Sequence, residues 1–229
     1  MGSRAPESIP GRIGVLDLQG GVVEHVEHLE QLGVTPVKVR YPEQIRGLAG
    51  LILPGGESTC VGRLLHLLGI DAAIRDAFAR GLKLWGTCAG AILLANRLRG
   101  QSPHLALIDI EIERNAFGSQ LDSFNTVASI PKVAPAPLPL TFIRAPKIRA
   151  VGPGVEVLLR MHDYIAAAES AQTLVTVFHP ELTPALAFHR YFLEKCGIPV
   201  APDAPEFEPG WTLTTWTRHL RIADPAGSR

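Results

Sequence analysis

The sequence predicts an α/β fold with a mixed, mostly parallel central sheet, and three observations lead to that prediction. Short apolar runs alternate with segments in which apolar residues recur at helical spacing over the first hundred residues or so. Glycine-containing turns follow several of these runs. After about residue 105, apolar and polar residues alternate, as in half-buried antiparallel strands. The sheet should therefore have a parallel part and an antiparallel portion.

Composition and charge exclude several classes of protein. The 229 residues are 46% hydrophobic, which is enough for one sizeable core. The formal net charge is zero, so we expect binding neither to nucleic acid nor to a membrane surface. No apolar run approaches the roughly 18 residues that span a bilayer, and the N-terminus lacks the apolar segment of a signal peptide. The 3 cysteines are too few and scattered for a disulfide framework, so a cytoplasmic location is expected.

The first half should contain the parallel strands and most of the helices. Strands are expected at 13–18, 37–39, 50–53 and 82–85, because these runs are apolar and end at turn residues. The helices between them are predicted from Val22 to Gly33, from Ser58 or Thr59 to Leu68, from Asp71 to Gly81, and over 89–96. Ser58, Thr59 and Asp71 are the candidate helix caps.

The second half should contain the antiparallel strands. The alternating runs lie at 105–114, 140–146, 154–161 and 163–169, and a buried strand is expected over 173–178. An amphipathic helix is predicted over 184–196, and the PAPLP stretch at 135–139 is interpreted as a surface loop. The predicted organisation is one domain over 12–197, a tail over 1–11 and a loosely ordered extension over 198–229 that contains Trp211 and Trp216.

The GTCAG stretch at 86–90 places Cys88 where a strand gives way to a helix. Ligands of parallel α/β sheets gather outside the carboxyl ends of the strands. A nucleophile between small residues at such a turn is a nucleophile elbow, in which the small residues let helix and strand approach closely. The amide of Ala89 would then point to a developing oxyanion, and the helix N-terminus would favour a thiolate. A small buried cysteine is the alternative, but the place at the strand end favours catalysis.

A nucleophilic thiol needs a base, and the base needs a group to orient it. His179 ends a predicted buried strand, and Glu181 follows two residues later. Alone, this segment would be interpreted as an exposed turn; with the elbow it predicts a Cys-His-Glu triad. His25 and His28 share a helix face, but no third metal ligand is evident. The remaining histidines are expected to be partly exposed without a special role: His66, His104, His162, His189 and His219.

The PGGES stretch at 54–58 follows another central strand. Its glycines allow a backbone amide, that of Gly56, to turn toward the nucleophile as a second oxyanion donor. A plain strand-to-helix loop would explain one glycine more easily than two. A phosphate-binding loop is excluded because the Gly-Lys-Ser/Thr ending is missing.

Several motifs together resemble a known family. LPGGEST at 53–59, GTCAG at 86–90 and FHPELT at 178–183 are similar to those of class I (triad) glutamine amidotransferases. LQGGVVEH at 18–25, ERNAFGSQLDSF at 113–124 and FIRAP at 142–146 more narrowly resemble the glutaminase subunits of pyridoxal 5'-phosphate synthases. The resemblance runs in order from about residue 12 to 197. GTCAG is only moderately specific, whereas the second set is much more so.

The resemblance implies a three-layer α/β sandwich of flavodoxin-like type that hydrolyses L-glutamine to L-glutamate and ammonia. It places the triad on Cys88, His179 and Glu181, in agreement with the choice made from the residues. It implies these glutamine-binding positions: Gly56, Glu57, Ser58, Arg114, Ile143 and Arg144. It implies no metal and no organic cofactor. Asp17 and the segment after residue 197 depart from the family pattern.

The resemblance also implies a partner, a separate (β/α)8-barrel synthase subunit. That subunit would use the ammonia to build pyridoxal 5'-phosphate from a pentose phosphate and a triose phosphate. We expect docking to turn the Gly56 amide toward the substrate, and we expect the contact surface around Gln19, Glu24 and His25.

Three alternatives stay open at this point. One is the glutaminase subunit of another amidotransferase, such as imidazole glycerol phosphate synthase, which should lack the ERNAFG and FIRAP motifs. Another is a stand-alone cysteine hydrolase of the dienelactone-hydrolase or gamma-glutamyl-hydrolase kind, which would need no partner. The third is a non-catalytic binding subunit, against which the intact Cys, His and Glu set argues.

Overall fold

A computed structural model describes residues 11–114, 123–200 and 219–222 of the protein. The strands are β1 (Arg12–Leu16), β2 (Val37–Val39), β3 (Leu48–Leu53), β4 (Lys83–Thr87), β5 (Ala95–Leu98), β6 (Ile108–Glu113), β7 (Phe124–Ala128), β8 (Leu138–Phe142), β9 (Lys147–Val151), β10 (Glu156–Met161), β11 (Tyr164–Glu169), β12 (Thr173–Thr176) and β13 (Arg221–Ile222). The helices are α1 (Val22–Gln31), α2 (Ser58–Leu67), α3 (Ile70–Ala79), α4 (Ala89–Leu94) and α5 (Ala187–Lys195), with short 3-10 turns at Pro42–Ile45 and Pro180–Leu182.

The main sheet has the strand order β2-β1-β3-β4-β12-β11-β9-β6-β5, and β10 pairs with β11. The strands from β2 to β12 are mutually parallel. β11 is antiparallel to both of its path neighbours, and β9 is antiparallel to β6. A second sheet has the order β13-β7-β8. The predicted α/β fold with a mixed, mostly parallel sheet is confirmed.

Helices cover both faces of the parallel part, as two neighbouring residues of β4 show. The ring of Trp85 packs on Phe188 and Phe192 of α5. The next residue, Gly86, faces Gly90 of α4 on the opposite side. Because successive strand residues point to opposite faces, α4 and α5 lie on different sides of the sheet. This arrangement explains why the central strands are continuously apolar, since both of their faces are buried.

The helix starts differ from the prediction. The cap of α2 is Glu57, whose carboxylate accepts hydrogen bonds from the amides of Thr59 (3.0 Å) and Cys60 (2.6 Å), so Ser58 and Thr59 lie inside the helix. α3 begins after Gly69, whose left-handed backbone (φ 69°) turns the chain out of α2. Asp71 therefore lies in the first turn of α3 and does not cap it.

Two segments predicted as a helix and as a loop contain strand residues. The predicted helix over 89–96 ends at Leu94, because Ala95–Leu98 pairs in parallel with β6. The PAPLP stretch is not wholly a loop, since Leu138 and Pro139 belong to β8. A proline is tolerated there because β8 is an edge strand of the small sheet.

Part of the C-terminal extension contacts the domain. Arg221 and Ile222 pair in parallel with Phe124 and Asn125 of β7. Trp211 and Trp216, as well as most of the ERNAFGSQLDSF motif, lie outside the described residues. In the described part of the chain, no helix is long and apolar enough to cross a membrane.

Candidate active site

A cleft of about 450 Å³ lies at the carboxyl ends of the central strands. β3 leads to Gly55, β4 leads to Cys88, and β12 leads to His179, so the topology brings these three residues to one sheet edge. The cleft is lined by all ten residues singled out from the sequence: Gly56, Glu57, Ser58, Cys88, Ala89, Arg114, Ile143, Arg144, His179 and Glu181. Gln19, Gly20, Glu24 and Leu182 are among its other lining residues.

Cys88 occupies a strained turn between β4 and α4. Its backbone has φ 47° and ψ −102°, a conformation that side-chain-bearing residues rarely adopt. A Cβ atom added at Gly86 would lie 2.4 Å from the carbonyl carbon of Gly90, and one added at Gly90 would lie 1.9 Å from the carbonyl oxygen of Leu53. Both glycines are therefore required for the close approach of α4 to the sheet. The geometry is that of a nucleophile elbow.

His179 and Glu181 form a short, buried pair beside this elbow. Nδ1 of His179 lies 2.7 Å from Oε1 of Glu181, and the two side chains are 12% and 0% exposed. The 3-10 turn that begins at Pro180 brings the carboxylate back to the ring. The other ring nitrogen, Nε2, is left to serve Cys88, whose thiol interacts with the imidazole.

The charges of the pair are set by opposing effects. Burial alone would lower the pKa of His179, but the charge of Cys88, the charge of Glu181 and hydrogen bonds to both raise it well above 6.5. Burial likewise favours a neutral Glu181, yet His25 and His179 lower its pKa below the usual 4.5. The arrangement therefore favours an imidazolium held between Cys88 and a carboxylate.

The loop after β3 is fixed by hydrogen bonds on both sides of the Gly55–Gly56 peptide. The Gly55 amide donates to Oγ1 of Thr87 (2.9 Å), and the Gly55 carbonyl accepts from the Gly21 amide (3.2 Å). The Glu57 amide donates to Oε1 of Gln19 (2.9 Å). Because the N–H and C=O of a trans peptide point in opposite directions, turning the Gly56 amide over requires the bond from Gly21 to break.

Arg114 lies across the cleft and is held by three side chains. Its Nη1 donates to Oε1 of Gln101 (2.7 Å) and to Oγ1 of Thr59 (3.1 Å), and its Nη2 lies 3.4 Å from Oε1 of Glu57. The Glu57 carboxylate is already bonded to the first amides of α2, which lower its pKa. Glu57 therefore positions Arg114 and α2 from the edge of the cleft.

The strand β8 brings the last two predicted binding residues to the opposite wall. Ile143 and Arg144 follow it directly, and Arg144 has a left-handed backbone (φ 44°). The Arg144 amide donates to Oγ of Ser123 (3.2 Å), which fixes the turn. Both residues therefore face the cleft that also contains Cys88.

Two histidines near the site were placed wrongly from the sequence. His189, expected to be partly exposed, and His25, expected at a partner-contact surface, are both fully buried. Helical spacing contained the signal, because His25 shares the apolar stripe of Val22 and Leu29, and His189 that of Phe192. Gln19 is exposed and Glu24 half-buried at the cleft, as expected of a surface.

Known proteins resemble this chain in both sequence and fold. The model of the SNO glutamine amidotransferase family matches residues 15–198. A curated pyridoxal 5'-phosphate synthase subunit PdxT of Syntrophus aciditrophicus is 57% identical over 208 residues, which cover 90% of this chain and 93% of that protein. The subunit of the same name from Clostridium botulinum is 50% identical, over 80% of this chain and 96% of that protein. A solved glutamine amidotransferase superposes with a TM-score of 0.78 at 43% identity, covering 82% of this chain and 100% of that one.

Proposed function

The chain belongs to the SNO glutamine amidotransferase family, and from that membership we propose that it is the glutaminase subunit of a pyridoxal 5'-phosphate synthase. It hydrolyses L-glutamine to L-glutamate and ammonia, and it supplies the ammonia to a synthase subunit. The name shared by its curated relatives supports this assignment. The single observation that carries it is the 2.7 Å contact between His179 and Glu181 next to the strained Cys88, inside a cleft that the family motifs line.

Binding of glutamine would use both walls of the cleft. The planar guanidinium of Arg114 is suited to the substrate α-carboxylate, because it can donate two parallel hydrogen bonds. Gly56, Ser58, Ile143 and Arg144 would complete the binding surface around the substrate. Glu57 would contribute indirectly, by holding Arg114 in place.

The first half-reaction forms a thioester on Cys88. The thiolate attacks the carboxamide carbon, and the amides of Gly56 and Ala89 stabilise the tetrahedral oxyanion. The Ala89 amide is suited to this role because the first N–H groups of a helix have no partner within it. Each such donor typically contributes about 3 kcal/mol to kcat. His179 then gives its proton to the departing nitrogen, and ammonia leaves.

The second half-reaction frees the enzyme. Neutral His179 takes a proton from water, the water oxygen attacks the thioester carbon, and the bond to sulfur breaks. Glutamate leaves, and the proton on His179 restores the imidazolium–thiolate pair. Throughout, Glu181 holds Nδ1–H and stabilises the positive ring.

The partner would be a (β/α)8-barrel synthase subunit that receives the ammonia. It would use the ammonia with a pentose phosphate and a triose phosphate to make pyridoxal 5'-phosphate, which contains a single nitrogen atom. Neither a metal nor an organic cofactor is needed for the glutaminase half, since the chain supplies the nucleophile, acid, base and oxyanion donors.

Isotope transfer tests this function. The purified chain and its synthase subunit are given the two sugar phosphates and glutamine labelled with ¹⁵N at the amide, and the product is analysed by mass spectrometry. We expect pyridoxal 5'-phosphate heavier by one mass unit with wild type and no labelled product with Cys88→Ala. Added ammonium salt should restore synthesis with the variant. Labelled product from the variant, or none from wild type while ammonium salt supports synthesis, would contradict the proposal.

A further inference from the structure

A buried histidine outside the triad faces the carboxylate that orients His179. His25 of α1 is fully buried, and its Nε2 lies 3.5 Å from Oε2 of Glu181, the carboxylate oxygen that His179 does not use. Oε2 is buried, and among the described residues it has no partner within hydrogen-bond geometry. His25 is thus the side chain positioned to hold the second oxygen of the orienting carboxylate.

The surrounding groups indicate the tautomer of His25. Its Nδ1 lies 2.8 Å from Nε2 of His189, so one of these two nitrogens donates to the other. Within the described residues, Nδ1 of His189 is buried without a partner, and a bare nitrogen there costs less than an unpaired N–H. His189 therefore donates from Nε2, and His25 accepts at Nδ1 and has its own proton on Nε2. That proton has two acceptors near it, Oγ1 of Thr87 at 3.3 Å and Oε2 of Glu181 at 3.5 Å from Nε2.

Burial keeps this ring neutral. The pKa of His25 is lowered to about 4, mainly by burial and against the attraction of Glu181. A neutral N–H donor can hold the carboxylate without cancelling its charge. The carboxylate therefore remains available to stabilise the imidazolium of His179.

His25 also contacts the residue that holds the oxyanion loop. Its Nε2 lies 3.3 Å from Oγ1 of Thr87, and the same oxygen accepts the hydrogen bond of the Gly55 amide. Thr87 immediately precedes Cys88. One buried ring therefore contacts both the group that orients the base and the group that fixes the Gly55 amide.

We propose that His25 is a positioning residue of the reaction, holding Oε2 of Glu181 and Oγ1 of Thr87 so that His179 and the Gly55–Gly56 loop keep their places around Cys88. This inference rests on the proposed glutaminase function. Helix α1 then contributes to turnover through His25, a residue outside the triad. His25 does not touch the substrate; it acts through Glu181 and Thr87.

The kinetic test replaces His25 in the full chain assayed with its synthase subunit. His25→Leu keeps similar volume but removes both nitrogens, and we expect kcat to fall about ten- to a hundredfold, the usual effect of losing an outer-shell partner. KM should change less than about threefold, because the binding residues keep their contacts. His25→Gln places an amide N–H as many bonds from Cα as Nε2 of the histidine. Its kcat should therefore be close to that of wild type and well above that of His25→Leu.

Two comparisons separate positioning from a merely structural effect. Val26→Ala, at the next position of the same helix, removes buried core atoms without touching the triad, so it should lower the thermal midpoint and leave kcat unchanged. In a Glu181→Gln background, His25→Leu should lower kcat by a smaller factor than in wild type, since the part that acts through Glu181 is already lost and coupled residues are not additive. A full loss in that background, or wild-type kcat in the His25→Leu single variant, would overturn the inference.

A readout without turnover keeps this inference separate from the proposed function. The proton between Nδ1 of His179 and Glu181 can be followed by NMR in the isolated chain. Its resonance should shift in His25→Leu and return toward the wild-type position in His25→Gln. An unchanged resonance would overturn the inference even if glutaminase turnover is found, and a shifted one would support it even if wild type hydrolyses no glutamine.

Discussion

Nδ1 of His179 and Oε1 of Glu181 lie 2.7 Å apart in a site where the carboxylate is fully buried. This contact fixes which ring nitrogen faces the thiol and keeps a negative charge against the ring. Both effects are expected to matter in turnover, because the ring is positively charged before it protonates the departing amide nitrogen.

Glu181→Gln removes the charge while keeping the shape. We expect kcat to fall by as much as about ten-thousandfold, from misplaced tautomers and a less stable imidazolium, with a smaller loss than in Cys88→Ala. Steady-state glutamate production measures both variants. A fully active Glu181→Gln enzyme would show that Glu181 is only a turn residue.

Labelling should distinguish Cys88 from the other cysteines. A diazo-ketone analogue of glutamine is expected to modify Cys88 alone, because binding in the cleft delivers the electrophile to this thiol. Cys60 is exposed but lies on α2 outside the cleft lining, and burial raises the pKa of Cys196 to about 12. Peptide mass spectrometry locates the label, and free glutamine should protect Cys88. Label on Cys60 or Cys196 instead would contradict the assignment.

Gly55 and Gly56 should respond differently to an added methyl group. A Cβ atom at Gly55 would lie 2.3 Å from Cε1 of His179, whereas one at Gly56 would meet the end of the Gln19 side chain at 3.0 Å. We therefore expect Gly55→Ala to displace His179 and slow the alkylation of Cys88 by iodoacetamide at pH 7 at least about tenfold. Gly56→Ala should leave that rate within about threefold of wild type. Equal alkylation rates in the two variants would show that the methyl group of Gly55→Ala does not displace the His179 ring.

Acid should destabilise the fold partly through His25. In the folded state its pKa is about 4, whereas an unfolded chain protonates near pH 6.5. The stability that the neutral ring contributes is therefore complete above pH 6.5 and is lost as the pH falls from 6.5 to about 4. Burial also lowers the pKa of His189 well below 6.5, so His189 adds to the loss of stability in acid. The pKa of His179 is raised, so His179 reduces that loss.

The comparison of wild type with His25→Gln isolates this contribution. Between pH 7 and pH 5, the free energy of unfolding of wild type should fall by about 2 kcal/mol more than that of the variant. Urea unfolding at each pH measures the difference. Parallel profiles for the two proteins would mean that His25 accepts a proton in the folded state as readily as in the unfolded one.

Strands that are buried on both faces could be predicted from the sequence, because they consist mostly of apolar residues. The run of β3 and the strand before Cys88 are continuous and apolar, and each ends at a glycine-containing turn. The change from α4 to β5 at Ala95 was missed, because a short apolar run suits either structure and only its pairing with β6 decides. β7 and β9 were missed because each is only five residues long and mixes polar with apolar residues.

Most of the candidate site follows from motifs at strand ends, but its supporting contacts do not. The sequence predicted a substrate-binding role for Glu57 but not that its carboxylate also caps α2, a contact that depends on the local backbone path. His25 of α1 and His189 of α5 are 164 residues apart in the chain but lie in contact in the fold. The helical spacing indicated that each is buried, but not that they meet beneath Glu181.

We propose that the Cys88 glutaminase is switched on by its synthase subunit. The Gly55 carbonyl is held by the Gly21 amide, so completing the oxyanion site by turning the Gly56 amide requires a change that docking can supply. The most direct measurement is steady-state glutamate production at saturating glutamine by wild type and Cys88→Ala, each alone and with the synthase subunit. We predict slow glutamine hydrolysis by the isolated wild type. The synthase subunit should raise this rate roughly ten- to a thousandfold, about the effect of one oxyanion donor. Cys88→Ala should show no hydrolysis in either case. Equal wild-type rates with and without the partner, or turnover by Cys88→Ala, would contradict the account.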